Sequence, residues 1–242
     1  MIHSEWRERV ALVTIDRQHR RNAVDAEALQ GIAGAIEKAA AADARVLVLT
    51  GAGGHFCAGA DLTSIENEEF ATLLRSVLDA LSAVPIATVA AVAGAALGAG
   101  TQLATACDLR VAEPTARFGI PAGRLGLMVD HRTVQRLAAL AGQGTTRAML
   151  LAAEEVDGDT AVRIGLAQRT GDLEAALGWA ADIAALAPLS IAGHKLALER
   201  LLPPPPPDPD VAAAFRTAWG SADLREGRAA FAERRPPRFD GR

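Results

Sequence analysis

The sequence predicts an α/β fold with a mostly parallel sheet, and three observations carry that prediction. Two runs, Arg45-Val46-Leu47-Val48-Leu49-Thr50 and Pro85 to Val92, are continuously apolar, as strands covered on both faces require. A stretch with apolar residues at helical spacing precedes each run: Leu29, Ile32, Ala33 and Ile36 before the first, and Phe70, Leu73, Leu74, Val77, Leu78 and Leu81 before the second. Glycine-rich turns separate the two kinds of element. Strands alternating with helices imply βαβ crossovers.

In chain order, Val10 to Asp16 reads as a strand and Arg17 to Asn22 as a polar, basic loop. Ala26 to Ala42 reads as a helix, 45–50 as a buried strand, and Glu66 to Val84 as a second helix. After the strand at 85–92 a helix runs from about Gly98 to Cys107. Short strands follow at Asp108–Ala112 and Arg117–Ile120, then helices near 130–141, 144–153 and 159–164. From Leu173 the pattern is all helical: Leu173–Ala185, Ser190–Leu202, Val211–Trp219 and Leu224–Arg235. Pro203 to Pro207 cannot be helix and reads as a stiff spacer. The expected division is therefore an α/β core at 1–172 and a helical region at 173–242.

Composition excludes several classes of function. The net charge of −4 and the absence of tyrosine argue against a nucleic-acid partner. Two cysteines, Cys57 and Cys107, make neither a disulfide framework nor a metal-ligand pattern. The N-terminal residues lack an apolar signal core, so a cytoplasmic protein is expected. Leu81 to Cys107 carries no charge and is long enough to cross a bilayer. Its Ala, Gly and Thr content and Pro85 favour a buried strand plus a buried helix, so no membrane span is expected.

The chemistry centres on Gly94-Ala95-Ala96-Leu97-Gly98-Ala99-Gly100, between a strand and a helix start. This arrangement presents free backbone N–H groups at one point, where a phosphate or an oxyanion can be held. It also serves close packing of helix on sheet. No third glycine of a dinucleotide fingerprint and no Gly-Lys-Ser/Thr follows.

Four pieces in order resemble the crotonase (enoyl-CoA hydratase/isomerase) superfamily: Arg20-Arg21-Asn22-Ala23-Val24, Phe56-Cys57-Ala58-Gly59-Ala60-Asp61-Leu62, Gly94 to Gly100, and Cys107 to Ala112. A fifth is Glu226 to Phe231 followed by Arg234-Arg235-Pro236. The resemblance implies a spiral of ββα units with a C-terminal helical trimerisation region, giving a homotrimer or a dimer of trimers. It implies an acyl-CoA thioester ligand of fatty-acid metabolism, with CoA as part of that ligand and no separate cofactor or metal. The thioester oxygen would sit in an oxyanion hole made by the N–H groups of Ala60 and Ala99. Arg20, Arg21, Ala23, Ala58, Asp61 and Leu62 would line the CoA path. Phe215, Phe231 and Arg234 would cover the adenine from a neighbouring subunit.

The chain departs from the family's hydratases at both acid/base positions. Gln102 and Ala122 stand where the two glutamates are implied. An amide orients water but does not exchange protons near neutral pH, and alanine does neither. The expectation is an acyl-CoA binder without hydratase competence. The alternative is an active crotonase-type hydratase, isomerase, thioester hydrolase or dehalogenase using Asp130. Asp130 also reads as the N-cap of the helix that follows it.

Overall fold

The computed structural model describes residues 1–63 and 68–242. Its main sheet has six strands in the order β1-β2-β3-β4-β6-β9. These are β1 (Ile2–Arg7), β2 (Val10–Ile15), β3 (Val46–Gly51), β4 (Ala87–Val92), β6 (Leu109–Ala112) and β9 (Arg169–Thr170). All pairings are parallel except β1 with β2. β1 is an exposed hairpin strand whose polar sequence hid it from the sequence reading.

A second sheet is built from β5 (Ala95–Leu97), β7 (Arg117–Gly119) and β8 (Glu155–Asp157). Single bridges extend its line: Cys57 pairs with Ala96, and Val24 with Ala60. Each turn of chain thus runs through the main sheet, touches the smaller sheet, and returns by a helix. Those helices are α1 (Ala26–Ala41), α2 (Glu68–Ala83), α3 (Ala99–Ala106) and α4 (His131–Leu151). The predicted start of the second helix at Glu66 lies outside the described residues. α4 contains a break at Gly142 (φ 76°, ψ 157°), which accounts for the two helices expected there.

Strand alternation explains why β3 is apolar throughout. Leu47 and Leu49 join the core under α1 and α2. Val46 and Val48 join a second cluster with Ala176, Leu177, Ala180 and Ile183 of α6 (Leu173–Ala184). Thus α6 covers the outer face of the main sheet. A short α5 (Gly158–Arg163) precedes it, and α7 (Pro188–Leu201), α8 (Pro209–Gly220) and α9 (Ala222–Glu233) follow. Buried Lys195 pins α7 to the sheet through Asp108 (2.8 Å) and the carbonyls of Leu81 and Ile86. The uncharged stretch 81–107 is the end of α2, then β4, β5 and α3. Among the described residues, no single helix is long and apolar enough to cross a membrane.

Candidate functional site

The site begins with two turns that meet. Val24 N–H donates to Gly59 O and Asp61 N–H to Val24 O, both at 2.8 Å. Those bonds flank Ala60 and leave its own N–H directed away from Val24, as strand alternation demands. Gly59 has φ 119°, and a Cβ there would lie 3.1 Å from Leu97 O. Gly98 has φ 53° and ψ −115°, and a Cβ there would lie 3.8 Å from Gly59 Cα. The two glycines are therefore in contact, and each is followed by one of the predicted donors. Among the described residues, no acceptor takes the N–H of Ala60 or of Ala99. Ala99 opens α3, so its N–H is one of the orphan donors at a helix start.

The α3 end of this pair is fixed by close packing. A Cβ on Gly100 would lie 2.0 Å from Cys57 O, which explains glycine there. Leu97 N–H donates to that same carbonyl (3.0 Å), and Gly98 N–H to Gly119 O (2.8 Å). Buried Thr101 Oγ1 accepts from Gly119 N–H (3.0 Å) and lies 2.6 Å from Ala96 O and 2.9 Å from Gly119 O. Cys57 and Cys107 are fully buried, and burial pushes both thiols up to about 12. Both thiols therefore stay protonated near neutral pH.

The side-chain half lies one turn further along α3. Gln102 is buried, with Oε1 2.9 Å from Thr133 Oγ1. Asp130 is the N-cap of α4, accepting from Thr133 N–H (2.9 Å), with Thr133 Oγ1 at 3.0 Å. Arg75 of α2 forms a close ion pair with Asp130 and donates to Thr133 Oγ1 (3.2 Å). Burial raises the Asp130 carboxyl, but Arg75 and Thr133 outweigh it and hold the group below the ordinary carboxylate range. Ala122 opens a short 3₁₀ turn, Ala122–Leu125, and packs against the core. Arg75 and Thr133 were missed from sequence because neither stands in a motif; only the folded pairing of α2 with α4 reveals them.

The structure also gathers the predicted CoA-path residues. Ala58 N–H donates to Arg21 O (3.0 Å), which sets 21–24 beside 58–61. Ala23 thereby lies in the segment paired with Ala58 and Asp61, Leu62 follows directly, and Arg20 and Arg21 are exposed. Buried Asn22 locks the loop by donating to Ala52 O (2.7 Å) and His55 O (2.6 Å). Asp61 is paired with Arg17 (3.2 Å) and accepts from Thr63. Those bonds outweigh burial and lower its carboxyl.

The C-terminal candidates lie elsewhere on the chain. Phe215 stacks on Trp219, with ring centroids 5.5 Å apart, and Trp219 Nε1 donates to Met128 O (2.9 Å). A Cβ on Gly227 would lie 2.4 Å from Leu125 O, so α9 sits tightly on the chain's own 122–126 turn. Phe231 is 65% exposed, and Arg234 is the left-handed C-cap of α9. No recorded hydrogen bond or ion pair among the described residues joins α8 or α9 to the 20–24 or 58–62 segments.

Comparison with known proteins agrees with this fold. The family model "Enoyl-CoA hydratase/isomerase" matches residues 5–242. The chain is 41% identical over 242 residues to "Probable enoyl-CoA hydratase echA6" of Mycobacterium bovis, covering 100% of both. It superposes on a crystal structure of an enoyl-CoA hydratase from Mycobacterium avium subsp. paratuberculosis with a TM-score of 0.86 at 27% identity, covering 99% of this chain and 98% of that one. A methylmalonyl-CoA decarboxylase in complex with 2-nitronate-propionyl-CoA shares the fold, with a TM-score of 0.90 at 21% identity and coverage of 100% and 98%. The spiral expected from the sequence motifs is therefore the crotonase fold, and the chain belongs to the enoyl-CoA hydratase/isomerase family.

Proposed function

We propose that this protein binds fatty acyl-CoA thioesters through a backbone oxyanion hole and does not hydrate them. The observation that carries the reading is the meeting of the Gly59 and Gly98 turns, which leaves the N–H groups of Ala60 and Ala99 without an acceptor among the described residues. Two such donors, fixed in advance, suit a thioester oxygen and any enolate formed from it. Arg20 and Arg21 would meet the phosphates of CoA, and Ala23, Ala58, Asp61 and Leu62 would line its path. Phe215, Phe231 and Arg234 would complete the nucleotide end in a homotrimer or a dimer of trimers in the cytoplasm. Gln102 and Ala122 supply no proton-transfer group, so the acid and base that hydration needs are missing.

The test pairs two measurements. Isothermal titration with acyl-CoAs of graded chain length should give saturable binding. A crotonyl-CoA hydration assay should give turnover far below that of a relative carrying both glutamates. Absence of binding at every length, or turnover matching that relative, would reject the proposal.

A second reading makes the protein an enzyme using Asp130, and one observation favours it: Thr133 joins Asp130 to Gln102 within hydrogen-bond distance. Against it, Arg75, Thr133 and the α4 N-terminus already engage the Asp130 oxygens. Any turnover found should disappear in Asp130→Asn if this reading holds; unchanged turnover would discard it.

A further inference from the structure

Arg17 is a motif-free residue just beyond β2, yet its guanidinium joins three separate pieces of chain. Nη2 lies 2.5 Å from Asp25 Oδ2 and 3.2 Å from Asp61 Oδ2, and Nη1 donates to Ala23 O. Asp25 is the N-cap of α1, and Asp61 directly follows Ala60. The Arg17 backbone is fixed in turn: its N–H donates to Asn22 Oδ1 (2.9 Å), and its carbonyl accepts from Asn22 N–H (3.0 Å). The Arg17 side chain is only 14% exposed and that of Asp61 only 8%.

We infer that Arg17 is a positioning residue: by clamping Asp61 it fixes the peptide plane that aims the Ala60 N–H. Val24 holds the two peptides that flank the Ala60 Cα, its N–H donating to Gly59 O in the plane of the Ala60 N–H and its carbonyl accepting from Asp61 N–H in the next. The Arg17–Asp61 pair holds the Asp61 side chain. Arginine suits this work because one planar fork reaches two carboxylates and a carbonyl at once, whereas lysine offers a single point charge. A stretched or rotated Ala60 N–H weakens what a carbonyl oxygen gains from it, because hydrogen bonds fall off steeply with angle. The inference rests on the oxyanion-hole reading proposed above and extends it to a residue that touches no ligand.

The experiment uses the full-length protein and dodecanoyl-CoA isotopically labelled in its thioester carbonyl. Infrared difference spectra read how strongly the bound carbonyl is polarised, and titration compares dodecanoyl-CoA with free CoA. In the unsubstituted protein the carbonyl stretch should move to lower frequency on binding. Arg17→Met and the nearly isosteric Asp61→Asn should return it toward its solution value. Both should weaken dodecanoyl-CoA by about tenfold, and Arg17→Met, at a residue that touches no ligand, should weaken free CoA far less. Arg17→Lys should fall between. Asp25→Ala removes the α1 cap and should lower the melting temperature without moving the carbonyl frequency. Arg17→Met and Asp61→Asn proteins with the original carbonyl frequency would overturn the inference. So would an Asp25→Ala protein showing the same spectral change, since that indicates general loosening. If the unsubstituted protein binds no dodecanoyl-CoA, or binds it without a frequency change, the oxyanion-hole reading fails first and this inference with it.

Discussion

The two halves of the site are held by different forces. On one side, residues 57–61 and 97–101 meet through the Leu97 N–H to Cys57 O bond, the Gly59–Gly98 contact and Gly100, where a Cβ would lie 2.0 Å from Cys57 O. On the other, Gln102, Thr133, Asp130 and Arg75 form a chain of side-chain contacts between α2, α3 and α4. The main-chain half presents donors that do not depend on residue identity, so alanines at 60 and 99 suffice. The side-chain half depends on residue identity, and on the proposed reading Gln102 and Ala122 supply it with no carboxylate. On that reading the fold keeps the part of a site that would recognise a carbonyl without the part that would move protons.

The comparison breaks most severely at Gly100. In Gly100→Ala the new Cβ would lie 2.0 Å from Cys57 O, a backbone atom with nowhere to go. α3 would have to shift off β5, carrying Ala99 with it. We expect a loss of about 3 kcal/mol or more in urea unfolding, together with loss of acyl-CoA binding. An unchanged denaturation midpoint would show that the glycine contact is not what fixes the main-chain half.

The next effect sharpens the comparison from the other half. Gln102→Glu combined with Ala122→Glu introduces two carboxylates beside an untouched main-chain half. Crotonyl-CoA hydration should rise by roughly 10² over the parent, the usual scale for a positioned acid or base. Gln102→Glu alone should gain little, because its carboxylate would face Thr133 with Asp130 just beyond. If the double variant stays inactive while still binding acyl-CoA, the side-chain half differs in more than those two residues.

The same contrast explains what was legible in the sequence. The main-chain half was readable because glycine is visible there as a requirement: Gly59, Gly98 and Gly100 each mark a forced φ or a close approach. Strands β2, β3 and β4 were readable because both of their faces are buried. β1, β5, β8 and β9 were not readable, being short or exposed and defined by their partners rather than by composition. Asp130 was open between a helix cap and a ligand contact, and only the fold shows the cap with Arg75 beside it. Arg17 and Arg75 look like ordinary surface charges in sequence, since an ion pair across 44 or 55 positions leaves no local pattern.

Arg75→Met is expected to act more gently than either change above. It leaves Asp130 with its α4 cap but without its cation, in a pair only partly shielded from water. A loss of about 1–2 kcal/mol is expected in denaturant unfolding. The main-chain half should be untouched, so the infrared signature of a bound thioester should not change. A thioester frequency that moved with Arg75→Met would mean that the two halves are coupled.

The smallest effect separates the halves by titration. Asp61 belongs to the main-chain half and Asp130 to the side-chain half, and both carboxyls are held below the ordinary range. A carboxylate depressed in the folded state stabilises the fold above its unfolded pKa, about 4, and that contribution is lost as pH falls through the folded value. Neither aspartate should therefore contribute any slope to stability between about pH 5 and 8. Below about pH 4 both should, because the unfolded chain then takes up protons that the folded chain refuses. Asp61→Asn and Asp130→Asn should each flatten part of that acid slope, and the double variant should flatten the sum, since distant sites add. Carboxyl NMR titration of the two aspartates would check the assignment directly. An Asp130 that titrates above the ordinary carboxylate range would mean that Arg75 does not hold it, and would return it to consideration as a base.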